Sequence, residues 1–109
     1  MDVTPLITQG VPVIQGYKNG VFRISGETYD TPVMLTPQGV SVWDQSFDNL
    51  PNYDVLLYGT GATQIWPDAA LRARIPMEVM TTAAAARTYN ALITDGRLVV
   101  ALLMPASGA

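Results

Sequence analysis

The rhythm of hydrophobic and polar positions changes near the middle of the chain. In the first half they alternate. Residues 11–17 lead into Lys18-Asn19-Gly20, and Val21-Phe22-Arg23-Ile24 then alternates apolar and polar side chains. A period of two marks a strand with one buried face. Asn19 and Gly20 both tolerate positive φ, which predicts a type I′ hairpin. Residues 32–36 and 40–43 flank Pro37-Gln38-Gly39. Proline presets that turn and Gly39 closes it, which predicts a second hairpin. Residues 45–52 read as a connector ending near Pro51.

The second half has continuous apolar runs instead. Val55-Leu56-Leu57-Tyr58 follows Asp54 and ends at Gly59-Thr60-Gly61, the pattern of a strand buried on both faces. Pro67-Asp68 starts a short helix over 69–74 with Asp68 as its N-cap, and Pro76 blocks its continuation. Residues 77–80 form a second core strand. Thr81 or Thr82 caps a helix over about 83–94, in which Ala85, Tyr89, Leu92 and Ile93 form the inward stripe. Gly96 stands at C′, where left-handed φ is cheap for glycine. Residues 98–103 are the last strand, and 106–109 a frayed tail.

The predicted fold class is α/β, in one domain over 1–109. An N-terminal β-hairpin layer spans about 11–44. A mixed central sheet in the order β-α-β-α-β spans about 54–104, with helices on it.

Composition narrows the chemistry. The chain is 49% hydrophobic and 14% charged, which suits a packed core rather than disorder. Its formal charge is −3, with six basic residues scattered along the chain, so no footprint for nucleic acid is expected. Lys18 is the sole lysine, which argues against a basic membrane-surface helix. The run 98–104 is too short to span a bilayer. Residues 1–10 have neither a basic n-region nor a long apolar stretch. No signal peptide is therefore expected, and a cytoplasmic placement is the simplest. With no cysteine and no histidine, disulfides, thiolate catalysis and the commonest general base and metal ligand are excluded. No cofactor or metal is implied.

Two segments invite a binding role. Gly59-Thr60-Gly61 lies between a strand and a helix, where backbone amides can face an anion. The dinucleotide fingerprint needs a further glycine where Gln64 stands, and Asp68 at the helix start repels phosphate. A tight turn is the favoured reading. In Arg87-Thr88-Tyr89-Asn90, Arg87 and Asn90 are three residues apart and share a helix side. With Arg97 they form a candidate site for a carboxylate or phosphate. The plainer reading places Tyr89 in the core, has Thr88 and Asn90 bonding to neighbouring backbone, and pairs Arg87 with an acid such as Glu78 or Asp95. Asp44, Asp48 and Asp54 read as turn caps rather than an acid–base pair. Trp43, Phe47, Tyr53 and Trp66 stand at strand ends and in loops, either as recognition aromatics or as lids over the ends of a small core.

The set Ile14, Gly16-Tyr17, Gly20, Phe22-Arg23, Pro37, Gly39-Val40, Trp43, Leu57, Gly59-Thr60-Gly61 and Pro67 carries a family resemblance. It continues through 79–90, Leu92, Gly96-Arg97 and 101–105. The chain resembles the small-domain family that includes the mitochondrial NADH dehydrogenase (ubiquinone) complex I assembly factor three and the adipogenesis-associated domain protein, with many uncharacterised bacterial members. The resemblance runs nearly the whole length. It implies a layered α/β domain with a loosely Rossmann-like mixed sheet and no catalytic residues. It also implies a role in assembly through a protein partner, such as a respiratory or membrane-complex subunit, with mitochondrial placement in eukaryotic relatives. Many relatives have a cysteine where this chain has Ala86, so no thiol role carries over. The first helix is also shorter than usual in the family. The resulting expectation is a non-enzymatic accessory protein, with homo-oligomerisation left open. The competing expectation is a small-ligand or nucleotide-binding domain with an anion site at the carboxyl edge of the sheet.

Overall fold

A computed structural model describes residues 11–105. The expectations for residues 1–10 and for the tail 106–109 lie outside the described residues. The chain begins with a meander of β1 (Ile14–Lys18), β2 (Val21–Ile24) and β3 (Glu27–Tyr29). Asn19 and Gly20 have φ of 53° and 78°, as a type I′ turn requires. The next turn repeats the device: Ser25 and Gly26 have φ of 48° and 88° and join β2 to β3. That third strand was not expected, although Ser-Gly is a turn dipeptide.

The second hairpin pairs β4 (Val33–Thr36) with β5 (Gly39–Val42). It does not join the N-terminal layer, contrary to expectation. It enters the central sheet through β8 (Val99–Leu103), whose other neighbour is β6 (Val55–Gly59). The five-stranded order is β5-β4-β8-β6-β7, with β7 spanning Glu78–Met80. The β5-β4-β8 part is antiparallel and the β8-β6-β7 part is parallel. Each parallel connection carries a helix, α1 (Ala69–Arg74) after β6 and α2 (Thr82–Thr94) after β7. The expected mixed α/β architecture is therefore present.

Local signals set the helix ends. Asp68 accepts from the Ala70 amide at 3.0 Å, and Thr81 accepts from that of Ala84 at 3.3 Å. Each satisfies one orphan donor of a first turn. Gly96 has φ 73° and donates to the Ile93 carbonyl, ending α2 as expected.

The central sheet separates two cores. On one face Val33, Leu35, Leu57, Val99, Ala101 and Leu103 pack with Ala85, Tyr89 and Ile93 of α2 and with Ile14, Phe22 and Ile24 of the meander. On the other, Leu56, Val100 and Leu102 lie under Trp43 and a half-buried fringe from the connector and the α1 end. All five residues of β8 are buried, which explains its unbroken apolar run.

Candidate functional site

The glycine segment after β6 is a packed joint. A Cβ on Gly59 would lie 2.9 Å from Thr82 Cα, so the start of α2 rests directly on the strand end. Thr60 N donates to the Met80 carbonyl at 3.0 Å, and Gly61 N donates to Thr82 Oγ1 at 2.8 Å. The Thr82 hydroxyl donates in turn to the Met104 carbonyl at 2.6 Å. Thr60 Oγ1 donates to the Thr63 carbonyl and accepts from Ile65 N. The Thr60 and Gly61 amides are thus engaged within the fold.

The stretch 87–90 spans two environments. Tyr89 is fully buried and its hydroxyl donates to the Pro12 carbonyl at 2.7 Å. The Asn90 amide works at both ends: Oδ1 accepts from Ile14 N at 3.1 Å and Nδ2 donates to Ile14 O at 2.7 Å. Asn90 thereby behaves as a short substitute strand against β1. Local backbone bonding was expected instead; the partners are 76 residues away. Burial pushes the Tyr89 phenol far above its ordinary value near 10, and desolvation raises Tyr58 as well.

Arg87 is exposed, and Thr88 beside it is half-buried. Among the described residues the ion pair is Arg74 with Asp48 at 3.9 Å, so Arg87 does not form the expected pair with Glu78 or Asp95. Arg87 and Asn90 line an open cleft of about 230 Å³ between α2 and β1, floored by Gly16, Ala83 and Ala86. Arg97 does not join them. It lines a hollow of about 340 Å³ beyond the other end of α2, with Val11, Pro37 and Gln38. The candidate residues therefore occupy three places rather than one site.

The aromatics also divide. Trp43 is 4% exposed and donates from Nε1 to the Ser46 carbonyl. It forms edge-to-face contacts with Phe47 and Tyr58 at 5.4 and 5.8 Å. Tyr53 reaches the Pro76 carbonyl at 3.5 Å. Trp43, Phe47 and Tyr53 close the second core, so of the two readings left open for them the structure takes the lid. Trp66 is different: it is 59% exposed, next to Ile65 at 61%. The Arg72 guanidinium lies 5.3 Å from its ring centroid while Nε donates to the Pro67 carbonyl. Nothing in the alternation flagged Ile65; its place beside Trp66, just before a helix-starting proline, is the available signal. Among the described residues no acidic cluster fits a metal ion, and no helix is long and apolar enough to cross a membrane.

A family of proteins of unknown function, DUF498/DUF598, matches residues 14–104. The chain belongs to this family. An uncharacterised protein of Rhodobacter capsulatus is 34% identical over 112 residues, covering 92% of this chain and 90% of that protein. A crystal structure of a Bordetella parapertussis protein matches with TM-score 0.76 and 28% identity, over 90% of this chain and 98% of that one. A Bartonella henselae crystal structure, described as an outer membrane protein, matches with TM-score 0.75 and 29% identity over the same shares. A Bordetella pertussis protein described as an Mth938-like domain shares the fold with TM-score 0.71 at 23% identity, over 98% of this chain and 94% of that one. The DUF498/DUF598 match begins at Ile14, the residue that Asn90 clamps, and so takes in the meander as well as the central sheet.

Proposed function

We propose that this domain is a non-enzymatic accessory or assembly protein that holds a protein partner on the Ile65–Trp66 platform. The observation that carries this is the pair of adjacent large apolar side chains at about 60% exposure, with Trp66 backed by Arg72. A tryptophan pre-oriented by a guanidinium suits an interface anchor, because little ordering remains to be done on binding. The resemblance to the complex I assembly factor supplies the partner class, a respiratory or membrane-complex subunit. A cytoplasmic site of action goes with this reading. The Bartonella henselae relative is described as an outer membrane protein, so cell fractionation is the check.

The test is Trp66→Ala. Thermal melting should hardly change, since Trp66 is mostly exposed and belongs to neither core. Recovery of the partner by site-specific crosslinking from a photo-reactive residue at position 69, an exposed alanine beside the platform, should fall at least tenfold in native cells. Unchanged crosslinking from that position, or unfolding of the variant, would sink the platform. The ligand-binding alternative has a separate test. Calorimetry with NAD or ATP should show no saturable binding at tens of micromolar, because the Thr60 and Gly61 amides are already bonded. Binding abolished by Arg87→Ala would reinstate the alternative.

A further inference from the structure

The sheet edges are protected unequally. The β1 edge is clamped at Ile14 by the Asn90 amide and bulges at Gln15. The β3 edge is three residues long and carries Glu27. The β7 edge is also three residues, carries Glu78, and has the Val79 carbonyl capped by Gln64 Nε2 at 2.9 Å. Short strands, charges and caps are the usual protections against strand addition. The β5 edge is one residue longer than β3 and β7 and has neither charge nor cap. Gly39-Val40-Ser41-Val42 has no charge and no proline, and Val42 is 66% exposed.

Register fixes which groups of β5 are free. Trp43 N bonds inward to the Pro32 carbonyl, and pairing alternates along an antiparallel ladder. Gly39 and Ser41 therefore turn toward β4. The amides and carbonyls of Val40 and Val42 turn outward, where no strand follows among the described residues. We propose that this edge pairs with the same edge of a second copy, antiparallel about a two-fold axis at Ser41. In that register each Val40 exchanges both backbone bonds with the other copy's Val42, about four bonds in all. Residues bonded in this way carry their side chains on the same face. The exposed Val42 then lies beside the half-buried Val40 of the other copy. At the ladder ends Gln38 meets Asp44, an amide against a carboxylate, so no like charges face each other. This neutral, self-complementary register favours a second copy over an unrelated strand. The contact is small, so the dimer is weak.

Sedimentation equilibrium over a concentration series up to about 1 mM should show monomer passing to dimer. Val42→Lys should leave the melting temperature near wild type and weaken Kd at least tenfold. Ser41→Cys gives a geometric test, because the two Ser41 positions face each other in a non-bonded pair close enough for a disulfide. Mild oxidation should link it as a dimer much faster than Ala73→Cys, an exposed control on α1. A monomer at every concentration, or a dimer indifferent to Val42→Lys, overturns the proposal. So does equal crosslinking of the two cysteine variants, or a monomer whose β5 edge takes only an unrelated extended peptide.

Discussion

The two faces of the central sheet solve the same burial problem in different ways. One is covered by a thirteen-residue helix and a second sheet. Its polar groups are paired over long separations, by Tyr89 to Pro12 and Asn90 to Ile14. The other is covered by a connector and the end of a six-residue helix that buries no residue of its own. There Met34, Phe47, Leu50, Met77 and Met104 are only partly buried. Regular elements can exclude water across a whole face, because their backbone groups are satisfied internally. A loop must keep its backbone wet or capped, as Asp44 does for the Ser46 amide at 2.9 Å, and so covers less completely. The thin face also adjoins the α1 segment, where Trp66 and Ile65 remain outside. The deep cover thus lies on one side of the sheet and the thin cover on the other.

The sharpest test compares one leucine from each face. Leu57→Ala, on the deep face, should cost about 3 kcal/mol, since a helix and a sheet cannot both collapse into the cavity. Leu50→Ala, in the thin cover, should cost roughly 1 kcal/mol. Equal shifts in urea midpoint would mean the two faces are not different in kind. Next in size is Thr82→Val, which keeps the shape and removes the hydroxyl linking Gly61 N to the Met104 carbonyl. It should cost about 2 kcal/mol, because a donor and an acceptor lose their partner at the joint between α2 and the sheet.

Tyr89→Phe should cost roughly 1 to 2 kcal/mol by leaving the Pro12 carbonyl unpaired. It also carries a pH signature. The folded state holds the Tyr89 proton far above the ordinary value near 10. Stability is therefore complete below about pH 10 and declines as pH rises above it, where the unfolded chain ionises and the folded one does not. The variant should flatten that alkaline decline without abolishing it, since the Tyr58 phenol is raised too. An unchanged slope in pH-dependent melts would remove Tyr89 from this account. The smallest effect is Gly96→Ala, about 1 kcal/mol, from forcing alanine to φ 73° with open space around it. A neutral result would mean that the end of α2 relaxes without disturbing the deep face.

The local half of this fold was legible in the sequence. Asn19-Gly20, the Asp68 and Thr81 caps and Gly96 act within a few residues of themselves, so their chemistry can be read where it stands. What sequence reading missed depends on partners far along the chain. Asn90 reads as a helix surface residue until Ile14 arrives, and Trp43 reads equally as lid or recognition aromatic until Tyr58 and Phe47 meet it. The second hairpin has the same alternating pattern whether it sits in the N-terminal layer or beside β8. Only the pairing of Val33 with Leu103 and Leu35 with Ala101 decides between them. The glycine segment was read as a turn from the absence of the third glycine, and the Thr82 contact supplies the reason that Gly59 is needed.

The place of β8 in the chain has a kinetic consequence. Among the described residues it is made after the nine other elements, yet it lies at the centre of the sheet, between β4 and β6. During synthesis the β4-β5 hairpin and the β6-β7 pair therefore wait as separate pieces with bare inner edges. Neither can nucleate the other, because the strand that joins them has not been made. Closure by β8 pairs Val33 with Leu103, 70 residues apart, and such distant contacts slow folding. Folding is thus expected to complete in one late step. Until then the unsealed fragments are the species most exposed to aggregation and proteases.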